Sequence, residues 1–341
     1  MDFCIRMQID QLRCHLLSLG AKPSHERALL RSWAQALPLN SSHRPAESFL
    51  PPSLRKALPE LETELASIGR LHSSYSGSDG STRLLVDLAD GQIVESVLLP
   101  RDAICVSTQV GCAVGCVFCM TGKEGLKRHL GSAEIVAQVV LARSMRPVKK
   151  VQFMGMGEPA HNMDNVLEAI EFLGTEGGIG HKNLVFSTVG DLRVFDRLPR
   201  ERVKPALALS LHTTKADLRA KLLPRAPRID PAELVELGER YARATTYPIQ
   251  YQWTLLEGIN DGDDELERIA ELLKGKYAVM NFIPWNSIPG MAFKRPSRER
   301  ALEMTRFLYQ RGILAKVRDS AGQDVEGGCG QLRARVKDVT A

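Results

Sequence analysis

Three features of the sequence predict an α/β fold built on a parallel sheet, closed wholly or partly into a barrel. From about residue 100 onward, short apolar runs of strand character alternate with longer stretches of helical periodicity, the pattern of repeated βα units. Two of the helical stretches stop at a glycine: 264–274 ends at Gly275 and 299–311 ends at Gly312. Polar residues gather at the downstream ends of the apolar runs, where a barrel of this kind presents its chemistry. At 341 residues the chain can bury a large core and still carry a smaller accessory region.

Residues 1–80 read as a helical accessory region. Leu12, Leu16 and Leu17, and then Leu29, Leu30 and Trp33, fall at helix spacings. The segment 37–45 is loop-like, and 51–56 opens a further short helix after paired prolines. Residues 81–100 form a β-hairpin: a strand ending at the Asp90-Gly91 turn, then a second strand over 93–99. The core domain occupies 101–330, with strands expected at 151–154, 184–187, 206–211, 249–255, 278–283 and 313–317. Ser132 is placed as the cap of a helix carrying Ile135, Val136, Val139 and Val140 inward. A basic tail, 331–341, closes the chain.

Composition narrows the class. No run of about eighteen apolar residues exists, so no membrane span is expected, and the N-terminal residues lack a secretory core. Seven cysteines without a disulfide-rich pattern suggest a reducing, cytoplasmic setting. Cys4 and Cys14 read as incidental. The net charge of +5 is unevenly spread. Residues 120–150 carry seven Lys/Arg against two acids, and 294–341 carry eleven against six. A phosphate backbone attracts such segments; solvated helix faces would show the same counts.

The chemistry starts at Cys112-Ala-Val-Gly-Cys116-Val-Phe-Cys119. Three thiolates on one loop can hold three irons of a 4Fe–4S cube and leave the fourth iron free to bind a small molecule. A structural zinc site needs a fourth protein ligand, and the nearest histidine, His129, sits in a basic segment without a second ligand pair. Directly after the 151–154 strand comes Gly155-Met-Gly157-Glu158-Pro159, where glycines would admit a ligand to the backbone and a carboxylate could receive an ammonium group. Ser187, the triplet Ser210-Leu211-His212, and Asn286 end three more strands and complete a candidate cofactor pocket.

On these residues the chain resembles the radical SAM superfamily, and within it the 23S rRNA adenine methyltransferases with their dual-specificity rRNA/tRNA members and antibiotic-resistance relatives. The resemblance runs from about residue 84 to 340. It is carried by Val94-Glu95-Ser-Val-Leu-Leu-Pro100, Cys105-Val-Ser-Thr-Gln-Val-Gly-Cys112, Gly125-Leu-Lys-Arg-His-Leu130, Phe153-Met-Gly-Met-Gly-Glu-Pro159, Ala208-Leu-Ser-Leu-His212, Ile283-Pro-Trp-Asn286 and Cys329-Gly-Gln-Leu332. It weakens before residue 80, where relatives carry an RNA-binding helical module and Arg27-Ala-Leu-Leu-Arg-Ser-Trp33 is only a faint echo.

The resemblance implies a partial (β/α)6 barrel, one 4Fe–4S cluster on Cys112, Cys116 and Cys119, and S-adenosylmethionine bound near Gly157, Glu158, Ser187, Ser210, Leu211, His212 and Asn286. It implies two S-adenosylmethionine molecules per turnover, one methylating Cys329 and one serving as radical source. Adenine ring carbons are electrophilic, so a thiol carries the methyl group in place of direct displacement. By the same resemblance, Cys105 resolves the covalent protein–RNA bridge as a transient disulfide, and Glu95 removes the ring proton. The product is methylated at carbon 2, with carbon 8 as the alternative, in 23S rRNA, tRNA or both. A monomer reduced by a flavodoxin or ferredoxin is expected. Two other readings remain beside this one: a radical SAM enzyme with a non-RNA substrate, and a non-catalytic metal-containing RNA-binding protein.

Overall fold

A computed structural model describes residues 8–41, 49–333 and the backbone of 335–336. Cys4, position 334 and positions 337–341 of the basic tail lie outside the described residues. Three helices open the chain: α1 (Ile9–Ser18), α2 (Pro23–Ala34) and α3 (Pro52–Ser67). Helix α3 is far longer than the short turn expected at 51–56. Leu54, Leu61 and Leu65 continue a buried stripe past Pro59, whose missing N–H is tolerated within the helix.

Next come β1 (Arg70–Ser76), β2 (Thr82–Asp87), β3 (Gln92–Leu99) and β4 (Ala103–Cys105), each antiparallel to the one before. Strand β1 corrects the reading of 1–80 as purely helical. Six of its seven residues are exposed, so it shows no alternation of apolar and polar residues to betray it. A small two-stranded sheet, β5 (Gln109–Gly111) with β6 (Leu126–His129), then brackets the cysteine loop.

Beyond it helices and strands alternate, with one pair of helices before a single strand. Helix α4 (Ser132–Met145) leads to β7 (Lys150–Phe153), α5 (Met163–Thr175) to β8 (Leu184–Thr188), and α6 (Leu192–Arg197) to β9 (Ala206–Ser210). Helices α7 (Ala216–Leu222) and α8 (Pro231–Thr245) precede β10 (Ile249–Leu255). Helix α9 (Asp263–Leu273) precedes β11 (Ala278–Pro284), and α10 (Arg298–Tyr309) precedes β12 (Ala315–Val317). From β4 through β7 to β12 every neighbouring pair is parallel. Residues from all seven of these strands line one cavity, so the sheet curls around it as a partial barrel. The six strands expected from sequence fall within two residues of their observed bounds. A short C-terminal strand, β13 (Arg335–Val336), returns to pair with β3.

The accessory helices have no core of their own. Leu12, Trp33 and Leu54 belong to one apolar cluster with Phe186, Trp253 and Phe282. Trp33 packs on Phe172 of α5, with ring centroids 5.9 Å apart. Ser132 does not cap α4 as expected; Gly131 holds that position, and Ser132 Oγ instead accepts from the Ile9 N–H at 2.8 Å. That bond ties α1 to the barrel.

One polar contact inside this core fixes the strand-to-loop junction. Gln138, wholly buried on α4, accepts through Oε1 from Ser107 N at 2.8 Å and from Ser96 Oγ at 2.6 Å. Its Nε2 donates to the Ser107 carbonyl at 2.9 Å. Removing the amide strands buried polar groups on two segments. Gln138→Ala should therefore destabilise the protein by roughly 3 kcal/mol, read as a fall in the urea midpoint.

Candidate active site

The cysteine loop leaves the small sheet at Cys112 and is clamped from several sides. The Val117 N–H donates to the Leu222 carbonyl at 3.1 Å, and the Arg225 N–H donates to Val114 at 3.3 Å. Val114 and Phe118 pack with Leu222, Leu223, Leu256, Trp285 and Ile288 in a second apolar cluster. This packing aims Cys112, Cys116 and Cys119 into a cavity of about 700 Å³ at the mouth of the barrel.

Desolvation keeps Cys112 and Cys116 as neutral thiols in the protein alone. Burial pushes Cys112 up to about 12, and burial with the neighbouring Cys119 and Cys112 raises Cys116 well above a free thiol. Thiolates so placed need a strong positive charge beside them. Three thiols on one loop suit a cluster ligated at three corners, whereas a structural zinc site needs a fourth protein ligand.

Opposite the thiols lies Glu158, wholly buried. Its Oε1 accepts from Ala160 N at 3.1 Å and its Oε2 from Val189 N at 3.0 Å. Burial outweighs these bonds and raises the carboxyl to about 7. Gly155 and Gly157 are needed for a reason other than ligand approach. A Cβ at Gly155 would sit 2.7 Å from the Val106 carbonyl oxygen, and one at Gly157, whose φ is +105°, would sit 2.7 Å from Gln109 Cβ. The chain's own 106–109 segment fills the space beside both glycines, and both still border the cavity.

Ser187, Ser210, His212 and Asn286 all line the same cavity. His212 adopts a left-handed φ of +64°, and its Nδ1 accepts from Thr254 N at 2.9 Å. Burial and Arg219 drive its pKa to about 3, so the ring is neutral and Nε2 carries the proton. Leu211 is buried away from the cavity and contributes only its backbone, whose N–H donates to Gln252 at 3.0 Å.

Asn286 donates from Nδ2 to the Cys329 carbonyl at 2.8 Å and to Ser320 Oγ at 2.9 Å. The Cys329 loop is also fastened to the cysteine loop. Met120 N donates to Gly330 at 2.7 Å, and Thr121 Oγ1 donates to Leu332 at 2.6 Å.

Cys105 and Cys329 therefore face one cavity from opposite ends of the core sequence. Burial, then the proximity of Cys329, pushes Cys105 up to about 12. Cys329 is open to solvent at the cavity surface yet enclosed by protein around it, and this desolvation followed by Cys119 raises it to about 11. Arg318 lowers both.

Glu95 is not brought into the cavity. It lies on the same face of β3 as Val97, which pairs with Cys105, but residues beyond Cys329 cover it. The carboxylate is wholly buried, accepting from Arg333 N at 3.1 Å and from Arg83 Nη1 at 3.4 Å.

Several lining residues were not foreseen. Gln152, Gln252, Thr254 and Asn281 interrupt apolar strands at inward positions, and that interruption is the sequence signal for them. The Oε1 of Gln252, Oδ1 of Asn281 and Oδ1 of Asn286 are buried acceptors without a donor, the kind of vacancy that a polar ligand fills. Arg219 had no such signal. It is buried against the carbonyls of Val189 and Ser210, with Glu158 and Cys116 within electrostatic reach. Buried free acceptors, a buried carboxylate, and three thiols on one loop together fit S-adenosylmethionine beside an iron–sulfur cluster.

Residues 106–273 match the radical SAM superfamily. A "Probable RNA methyltransferase" of Azoarcus sp. (strain BH72) is 70% identical, covering 97% of this chain and 95% of that protein. One of the same name from Stutzerimonas stutzeri (strain A1501) is 66% identical, covering 98% of each. A crystal structure of a radical SAM methyltransferase from Sphaerobacter thermophilus superposes with a TM-score of 0.83 at 35% identity, covering 97% of this chain and 98% of that one.

The raised pKa of Glu158 carries a pH dependence. If its ionised form receives the ammonium group of S-adenosylmethionine, that ligand should bind more tightly as pH rises through about 7. If only the ionised form binds, affinity should grow about tenfold between pH 6 and 8 and then level. Isothermal titration should show this rise in the native protein and its absence in Glu158→Gln.

Proposed function

The chain belongs to the radical SAM superfamily, in one family with those RNA methyltransferases, and we propose that it methylates a ring carbon of adenine in 23S rRNA, tRNA or both. Carbon 2 is the preferred position and carbon 8 the alternative. The observation that carries this reading is the convergence of Cys105 and Cys329 on the cavity that the three loop cysteines share. An enzyme that only generated a radical for a partner protein would have no use for two further thiols there.

Cys112, Cys116 and Cys119 would hold the 4Fe–4S cluster, and Glu158, Ser187, Ser210, His212 and Asn286 would surround S-adenosylmethionine. When bound, these groups supply one-electron reduction and a methyl group, with two S-adenosylmethionine molecules used per turnover. The chain's residues do the rest. Cys329 takes up the methyl group as a thioether, on a loop that Asn286, Met120 and Thr121 hold over the cavity. Its raised pKa keeps the thiol protonated until the sulfonium charge arrives to draw out the thiolate. Once the methyl carbon has joined the adenine, Cys105 attacks the bridging sulfur as a thiolate. The carbon–sulfur bond breaks, its electron pair stays with the carbon, which takes up a proton to become the methyl group, and a Cys105–Cys329 disulfide is left to be reduced. Glu95 serves as the base in a state where the segment at Arg333 has lifted from it. The enzyme works as a cytoplasmic monomer reduced by a flavodoxin or ferredoxin. No helix among the described residues is long and apolar enough to cross a membrane.

The two thiols have separable signatures. Cys105→Ala protein, incubated anaerobically with S-adenosylmethionine, reductant and RNA, should accumulate a covalent RNA adduct on Cys329. Cys329→Ala protein should form none. Normal turnover by the Cys105 variant, without adduct, would refute the scheme, and activity in both variants would favour a non-RNA substrate.

A further inference from the structure

Four cations line the cavity that also holds the two thiols, and three of them stand on or beside strands of the curled sheet. Lys150 opens β7, Lys316 lies on β12, and Arg318 follows it directly; all three line the cavity. Strand β12 pairs with β11 alone and β4 with β3 and β7, so the barrel is unzipped between β4 and β12. Residues from both sides of this seam, Arg101 and Ser320 among them, border the cavity. Arg318 reaches to the other side, where its Nη2 donates to Gln152 Oε1 at 2.8 Å, and Gln152 is the register partner of Cys105.

Within the described residues their charges are not balanced. Among the described residues none of the three forms an ion pair, whereas Arg83, Arg128 and Arg300 each meet a carboxylate. The acids beside the seam are engaged elsewhere: Asp319 with Arg295 at 2.6 Å, and Asp79 with Ser81 and the Gly322 N–H. Lys150 is pulled below the ordinary lysine range by burial and then by Arg318 and Lys316, so the cluster stands at a cost. Like charges held together in a partly desolvated seam are relieved by a bound anion. Side by side on the same inward register stand Lys316, Asn281 and Gln252.

We infer that the β4–β12 seam is an anion subsite, formed by Lys150, Lys316 and Arg318, that takes a backbone phosphate of the RNA strand beside the nucleotide being modified. The inference rests on the RNA reading above and adds where the strand is gripped. A phosphate here would fix the register of the nucleotide that reaches Cys329, through contacts that carry no sequence information of their own. Arg318 lies nearest the thiols of the three, so the two lysines are the cleaner probes.

Lys150→Gln/Lys316→Gln protein, reconstituted with iron and sulfide, can be titrated against fluorescein-labelled bulk bacterial tRNA and 23S rRNA between 50 and 200 mM KCl. The apparent Kd should rise about tenfold, the size of one lost charge-assisted contact. The slope of log K against log salt should become shallower by about 0.7 for each single-strand phosphate released. Lys150→Arg/Lys316→Arg protein should keep both values near those of the native protein. Iron content and S-adenosylmethionine affinity report whether each variant is folded; if the double variant loses iron, Lys316→Gln alone, at an exposed position, carries the test with a smaller shift in the same direction. An unchanged Kd and slope, in a protein whose native form methylates RNA, would overturn the subsite. So would an equal loss in the arginine variant, because that marks packing and not charge. If the native protein neither binds nor methylates either RNA, the RNA reading itself fails first.

Discussion

The site depends on how firmly the four residues Val106–Ser107–Thr108–Gln109 are held against the turn that follows β7. Ser107 Oγ donates to the Glu95 carbonyl at 2.6 Å and accepts from Met156 N at 2.9 Å. Thr108 N donates to the Met156 carbonyl at 2.8 Å, and Gln109 Oε1 accepts from Glu158 N at 2.8 Å. This one stretch follows Cys105, precedes Cys112 and lies along Gly155–Glu158, so its position sets all three. It also explains why the turn has no room for a side chain at 155 or 157. The contacts are backbone or short side-chain bonds within a dry core, where an unmade bond is expensive.

A second feature of the site is its electrical state in the protein alone. Cys112, Cys116, Cys105, Cys329 and Glu158 are all pushed toward neutrality by burial, and His212 is neutral for the same reason. The cavity is thus nearly uncharged at its mouth and cationic toward its seam. Cationic metal and an ammonium-bearing ligand would restore the negative charge to thiolate and carboxylate. Charge appears in the site only as its partners arrive. Arg219 is the exception: it stays beside Cys116 and Glu158, bonded to backbone carbonyls, although burial lowers it to about 10.

Much of this was legible in the residues. The parallel strands announced themselves because they are buried on both faces and read as apolar runs. The cysteine loop, Glu158 and the strand-end polar residues follow from spacing and position. Other features left no such trace. Strand β1 is exposed and has no periodicity. Leu211 looked like part of a ligand triplet because neighbouring positions on a strand cannot be told apart without knowing which one faces inward. Glu95 was placed by resemblance, yet whether a strand residue is open or covered depends on what folds over it, here residues more than 200 positions later. The unpaired cations of the seam could not be separated from ordinary surface charge, because counting lysines does not say which of them lack a carboxylate.

The fastening of the Cys329 loop onto the cysteine loop bears on the order in which the molecule is put together. Thr121 and Leu332 are separated by 211 positions, and Asn286 joins the same knot from a third place in the chain. Contacts of such long sequence range form late, because the loop they close must first be brought together against its own entropy. On the ribosome the cysteine loop and the first strands emerge while the residues that will lie over them are still unmade. A newly made chain therefore passes through an interval in which its three loop thiols are laid out on a half-built sheet with nothing above them. Iron and sulfide delivered in that interval meet an open face; delivered later, they must wait for the knot to loosen.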